Sequence, residues 1–158
     1  MKENKKIYFR LLVILVLPLL LSGCLNDLFD DGETYYNTDD PQVEFYPLTQ
    51  QLTLGATEES SYTINAQLIG EQRNAALELS VIVVDSLTTA QQGVQYSLPS
   101  TSITIPADSS TAAFTIEVSG EGLDAGDVAQ LVLELQGTEE VQAAENLNQH
   151  TLIIQGGG

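Results

Sequence analysis

"TSITIPADSSTAAFTIEV" occupies residues 101–118. Ile103 and Ile105 alternate with Ser102 and Thr104, and after "PADSS" (106–110) Phe114, Ile116 and Val118 alternate with Thr115 and Glu117. A period of two is the pattern of a strand with one face in a core and the other in water. Pro106 lacks an amide hydrogen and stops the first run, and the small polar residues behind it supply a turn. The two runs are expected to be neighbouring antiparallel strands joined by that turn.

The same period extends in both directions. Upstream, "QVEFY" (42–46) offers Val43 and Phe45, "QLTL" (51–54) offers Leu52 and Leu54, and "SYTINAQLI" (61–69) offers Tyr62, Ile64, Ala66 and Leu68. "ALELSVIVVD" (76–85) offers Leu77, Leu79, Val81 and Val83, and its second face is also apolar at Ile82 and Val84, which predicts a central or covered strand. Downstream, "AQLVLEL" (129–135) offers Leu131, Leu133 and Leu135, and "HTLIIQ" (150–155) closes the series. Turn-forming stretches separate these runs at 54–60, 70–74, 106–110 and 119–127. "TEEVQAAENLN" (138–148) fits either a turn or two of helix or a long loop. Short strands at regular spacing predict an all-β fold: an immunoglobulin-like antiparallel β-sandwich of about seven to eight strands over residues 42–158. The core would be aliphatic, since the chain has no Trp and four Phe.

Residues 93–118, "GVQYSLPSTSITIPADSSTAAFTIEV", resemble the Calx-beta motif and related immunoglobulin-like domains of Bacteroidota lipoproteins. The resemblance rests on Gly93-x-x-Tyr96, on a strand ending in Pro106, on the small turn, and on Phe114-x-Ile116-x-Val118 followed by the leucine strand and "TLII". It covers about residues 42–155 and speaks to fold more than to function. It implies that Tyr96 caps the core. Some Calx-beta domains hold calcium through loop acids. The matching loop here, 120–130, carries Glu121, Asp124 and Asp127, fewer acids than the family's usual run. Calcium takes six to eight oxygens, so these three would need carbonyls and water to complete a shell. The other reading is solvated surface charge.

The N-terminus carries a different message. Lys2, Lys5, Lys6 and Arg10 precede an apolar run, Leu11–Leu21. That run is too short for a good membrane span, which needs about 20 residues, and it suits a signal peptide. Ser22, Gly23 and Cys24 follow, and "LSGC" (21–24) resembles the bacterial lipobox. The resemblance implies cleavage before Cys24, acylation of its thiol and amino group, and attachment to the membrane. It divides the chain into a signal peptide (1–23), a lipidated cysteine with an acidic tether (24–41) and the sandwich (42–158). Two or more acyl chains hold stably where one holds marginally. Cys24 is the sole cysteine, so the processed chain has no disulfide. An ordinary secretory signal would instead leave an odd free thiol.

Charge changes at the same point. The full chain has a formal charge of −17. Four of its five bases and one acid, Glu3, lie before Cys24, which leaves 21 acids against Arg73 and a charge of −20. This resembles the acidic bias of proteins from saline habitats, and equally suits a plain acidic surface protein. Nucleic acid is excluded as a partner, because phosphate needs a basic patch. Electrostatic docking on anionic lipid is excluded in the same way. In the tether, Asp27, Asp30, Asp31, Glu33, Asp39 and Asp40 repel one another and favour extension. Acids soon after the cysteine also resemble the surface-export signal of Bacteroidota lipoproteins, which leaves both the cell surface and the periplasmic face of the outer membrane open.

Catalytic constellations are not legible. The lone histidine, His150, is expected at the surface or an edge. Together with scattered serines it assembles no nucleophile–base pair. There is no zinc ligand set and no phosphate-cradling glycine motif. Acid pairs such as Glu58–Glu59 and Glu139–Glu140 fall in turns without the desolvation that glycosidase acids need. The expectation is a non-enzymatic outer-membrane lipoprotein without a cofactor, whose sandwich has a binding or structural role, contacting a partner protein, glycan or other envelope component through loops at one end. The alternatives are a calcium-dependent adhesion or stability module and an accessory subunit of an outer-membrane uptake or secretion complex.

Overall fold

The computed structural model describes residues 40–158. The expected signal peptide, the expected lipobox with Cys24 and nearly all of the expected tether lie outside the described residues. No helix occurs among the described residues. Ten strands form two five-stranded sheets. They are β1 (Gln42–Tyr46), β2 (Thr49–Leu54), β3 (Glu59–Ile69), β4 (Leu77–Val83), β5 (Tyr96–Ser97), β6 (Ser102–Ile105), β7 (Thr111–Ser119), β8 (Val128–Gln136), β9 (Gln142–Ala143) and β10 (Gln149–Gly156). One sheet has the order β5-β7-β3-β1-β9 and the other β2-β10-β8-β4-β6. All eight sequence runs are strands of four residues or more, and the two additions, β5 and β9, are two residues each.

Alternation sets the core. Val43, Phe45, Ile64, Ala66, Phe114 and Ile116 from the first sheet meet Leu79, Val81, Ile105, Leu131, Leu133, Leu152 and Ile154 from the second, all buried. Each such Leu, Ile or Phe contributes about 1.5–3 kcal/mol by leaving water. Because a one-residue slip would turn every one of these side chains outward, the register is fixed by the core itself.

The structure corrects one feature of the sequence reading and decides two that it left open. The strands on either side of "PADSS" are not paired neighbours. β6 pairs with β4 in one sheet and β7 pairs with β3 and β5 in the other, so the turn crosses between sheets. Asp108 sits there in the left-handed region (φ 56°), which Asp tolerates better than most residues. Its amide donates to the Arg73 carbonyl at 2.8 Å. Second, β4 is an interior strand between β8 and β6, but its outer face is not covered, since Ile82 is 46% exposed. Third, residues 138–148 form a loop containing β9, not a helix. This loop supplies partners for the free side of β1: Ala144 N donates to Val43 O and Phe45 N to Leu147 O, both at 2.9 Å. Val141 and Ala144 are buried by the same docking.

Two pairings are parallel, β1 with β9 and β2 with β10. The second follows from a crossover. β1 belongs to the first sheet, the chain passes over Pro47 and Leu48 through a cis Tyr46–Pro47 peptide, and β2 joins the second sheet beside β10.

Candidate functional site

A cleft of about 280 Å³ opens at one pole of the sandwich. Four segments build it. Glu59 opens β3, Tyr96 and Ser97 form β5, Glu117, Val118 and Ser119 end β7, and Glu121 starts the following loop, with Gly93 and Val94 closing the rim. Strand register brings the acids together. Glu59 stands opposite Ser119, and Glu117 stands between Ser61 on β3 and Ser97 on β5. Ser61 Oγ donates to Glu117 Oε1 at 3.3 Å. Three carboxylates from three segments therefore line one opening.

Between the rim residue Val94 and Tyr96, Gln95 is 7% exposed. Its Oε1 accepts from Gln91 N at 2.7 Å and its Nε2 donates to Glu121 O at 2.8 Å, tying the 91–95 turn to the 119–123 loop. Gly93 has φ +79° and donates its amide to Tyr96 O at 2.7 Å. The Gly-x-x-Tyr spacing thus has a physical cause: a left-handed turn that Gly allows at little cost, delivering Tyr96 into the core at 6% exposure. Burial raises the Tyr96 phenol above its ordinary pKa, and the charge of Asp85 adds to the rise.

Glu121 reaches this cleft, but Asp124 and Asp127 do not line it. Asp127 is used locally: Oδ2 accepts from Asp124 N at 3.1 Å, and Asp127 N donates to Asp124 O at 2.9 Å. All three acids proposed as calcium ligands are exposed on the 120–127 loop. Among the described residues no group of three His, Cys, Asp or Glu side chains is gathered closely enough to hold a metal ion.

The cleft has a fixed position relative to the start of the domain. Gln42, the first residue of β1, stands opposite Ile69, the last of β3. Glu59, the first of β3, lies at the cleft. β3 is 11 residues long, so the chain enters the sandwich roughly 33 Å from the cleft at about 3.3 Å per residue. The loop at 54–59, the loop at 119–127 and the end of β10 gather at the cleft pole. Gly120 approaches so closely that a Cβ there would lie 2.2 Å from Gly55 O, and one on Gly156 would lie 2.1 Å from Asp124 O.

His150 contradicts the expectation of a surface or edge position. It is fully buried, on the inward side of β10 with Leu152 and Ile154. Nδ1 lies 2.6 Å from Pro47 O at the crossover. The ring stacks on Tyr62 (centroids 5.6 Å, 25°) and meets Phe45 edge-on (6.3 Å, 74°).

The fold and cleft define an all-β, immunoglobulin-like sandwich with an acidic pole. The chain belongs to the family of the domain of unknown function DUF4843, which its residues 46–155 match. No curated protein matches the sequence. Among solved structures, the chain is similar to the calcium binding domain CBD12 of CALX1.1, with a TM-score of 0.56 and 16% identity over 73% of this chain and 44% of that one. It is also similar to a protein of unknown function from Bacteroides ovatus, with a TM-score of 0.54 and 17% identity over 71% of this chain and 43% of that one. The chain thus spans less than half the length of either. These likenesses bear out the Calx-beta-like sandwich at the level of fold.

Proposed function

We propose that this protein is an outer-membrane lipoprotein, anchored through acylated Cys24, whose non-catalytic sandwich offers its acidic cleft to an envelope protein or glycan. The observation that carries the binding role is the polarity of the domain: the chain enters at one pole and the cleft opens at the other. An anchor at Cys24 is joined to Gln42 by 17 residues, a span of at most roughly 60 Å when extended. The cleft lies roughly 33 Å along β3 from Gln42, where the tether joins the sandwich. Glu59, Glu117 and Glu121 suit a cationic group, such as a lysine or arginine side chain of a partner protein, and Ser97 and Ser119 add hydrogen-bonding hydroxyls. The signal-like N-terminus and "LSGC" support the anchor, and the tether acids support extension.

The test is site-directed photo-crosslinking in cells. A crosslinker at Ser97 is expected to capture an envelope component, and the triple variant Glu59→Gln, Glu117→Gln, Glu121→Gln is expected to lose most of that product. Equal capture with the triple variant, or capture only from a crosslinker at Glu71 near the entry pole, would contradict the reading. A rise in melting temperature on adding calcium, abolished by Asp124→Asn and Asp127→Asn, would instead favour the calcium-dependent module.

A further inference from the structure

His150 joins every part of the crossover. It comes from β10 of one sheet, packs on Phe45 of β1 and Tyr62 of β3 in the other, and bonds the carbonyl of Pro47, where the chain changes sheets. Pro47 O can only accept, so Nδ1 carries the proton and donates. In the neutral ring Nε2 is then a bare lone pair. It is buried and has no hydrogen-bond partner, and the same holds for the Tyr62 hydroxyl, so the two are not bonded to each other.

The surroundings offer a second proton nothing. On β3 the titratable neighbour is Tyr62, whose own phenol is raised by burial. On β1, Glu44 alternates to the face opposite Phe45. On β8, Leu133 stands opposite His150, while Glu134 accepts from Gln149 Nε2. β2 and the crossover residues Pro47 and Leu48 carry no charge, and Tyr46 is exposed.

We propose that His150 is an acid-sensitive latch on the β1–β2 crossover: the closed sandwich favours the neutral ring, so protonation shifts the crossover toward opening. Burial lowers the His150 pKa below its ordinary value, and the bond to Pro47 offsets part of that. The sign follows. Above about pH 6.5 the ring is neutral in both closed and open forms, and the latch is fully engaged. As pH falls below that, the open form takes the proton first. The closed-to-open ratio then drops about tenfold per pH unit until the closed form's own lower pKa is reached.

The experiment is hydrogen exchange on the full chain in detergent, corrected for intrinsic rates, from neutral to mildly acidic pH. The reporters are the Thr151 amide, which donates to Leu48 O, and the Phe45 amide, which donates to Leu147 O, with Val81, which donates to Thr101 O, as reference. Protection at Thr151 and Phe45 is expected to fall about tenfold per pH unit below about 6.5 relative to Val81. In His150→Asn, which keeps an amide donor for Pro47 and cannot titrate, that ratio is expected to stay flat. The same pH dependence in both proteins, or an equal fall at Val81, would overturn the latch. Should His150→Asn not fold, the wild-type imidazole signal in proton NMR decides alone. A ring that titrates at its ordinary value while Thr151 stays protected contradicts the proposal, and a ring that resists protonation until Thr151 loses protection supports it.

Discussion

Phe45 is 1% exposed and touches both the core and the His150 ring. Phe45→Ala is expected to cost about 3–5 kcal/mol, because the sheets cannot close over the missing ring, and a urea melt of the variant beside wild type measures it. At Gly120 the constraint is steric: an alanine methyl would strike Gly55 O. Gly120→Ala is expected to cost about 1–3 kcal/mol, read by the same melt, while Gly93→Ala, which meets nothing within 4 Å, pays mainly for its positive φ. The position of His150 was legible in principle. It shares parity with Leu152 and Ile154, which places it on the core face, and only the general habit of histidines pointed outward. Of the three cleft acids, Glu121 was legible as a candidate ligand on its loop, and the other two were not. Glu59 reads as a turn residue and Glu117 as an outward strand residue, and only the register of β3 with β7 brings them together.

At the scale of elements, period two in the sequence found every strand long enough to repeat it. β5 and β9 are too short to show a period and exist because a neighbour needs partners. Which sheet a strand joins left no local trace. Five residues after Ile105 suffice either for a hairpin or for a crossing, and core closure chooses the crossing. The loops at the entry pole are tied by an ion pair between Arg73 and Glu140. Glu140 is 72% exposed, so the pair is worth under about 1 kcal/mol. Arg73→Met is therefore expected to shift the urea midpoint little, since the Asp108-to-Arg73 bond uses backbone atoms and survives. A loss as large as that of Phe45→Ala would contradict this ranking.

For the whole molecule, charge decides. With −20 on the chain from Cys24 onward, the folded state repels itself. Raising salt from ~0.01 M to ~1 M shortens the screening length from about 30 Å to about 3 Å. Thermal melts are expected to rise by several degrees over that range, and a flat or falling curve would contradict the repulsion argument. On the proposed function, the same charge would disfavour phosphate-rich partners and leave membrane attachment to the acyl chains on Cys24. The measurement that bears most directly on the account is the intact mass of the protein extracted from membranes, beside a Cys24→Ala form. Loss of residues 1–23 and added mass of at least two acyl chains on Cys24, absent from the variant, are expected. An unmodified Cys24, or an intact N-terminus, would contradict it.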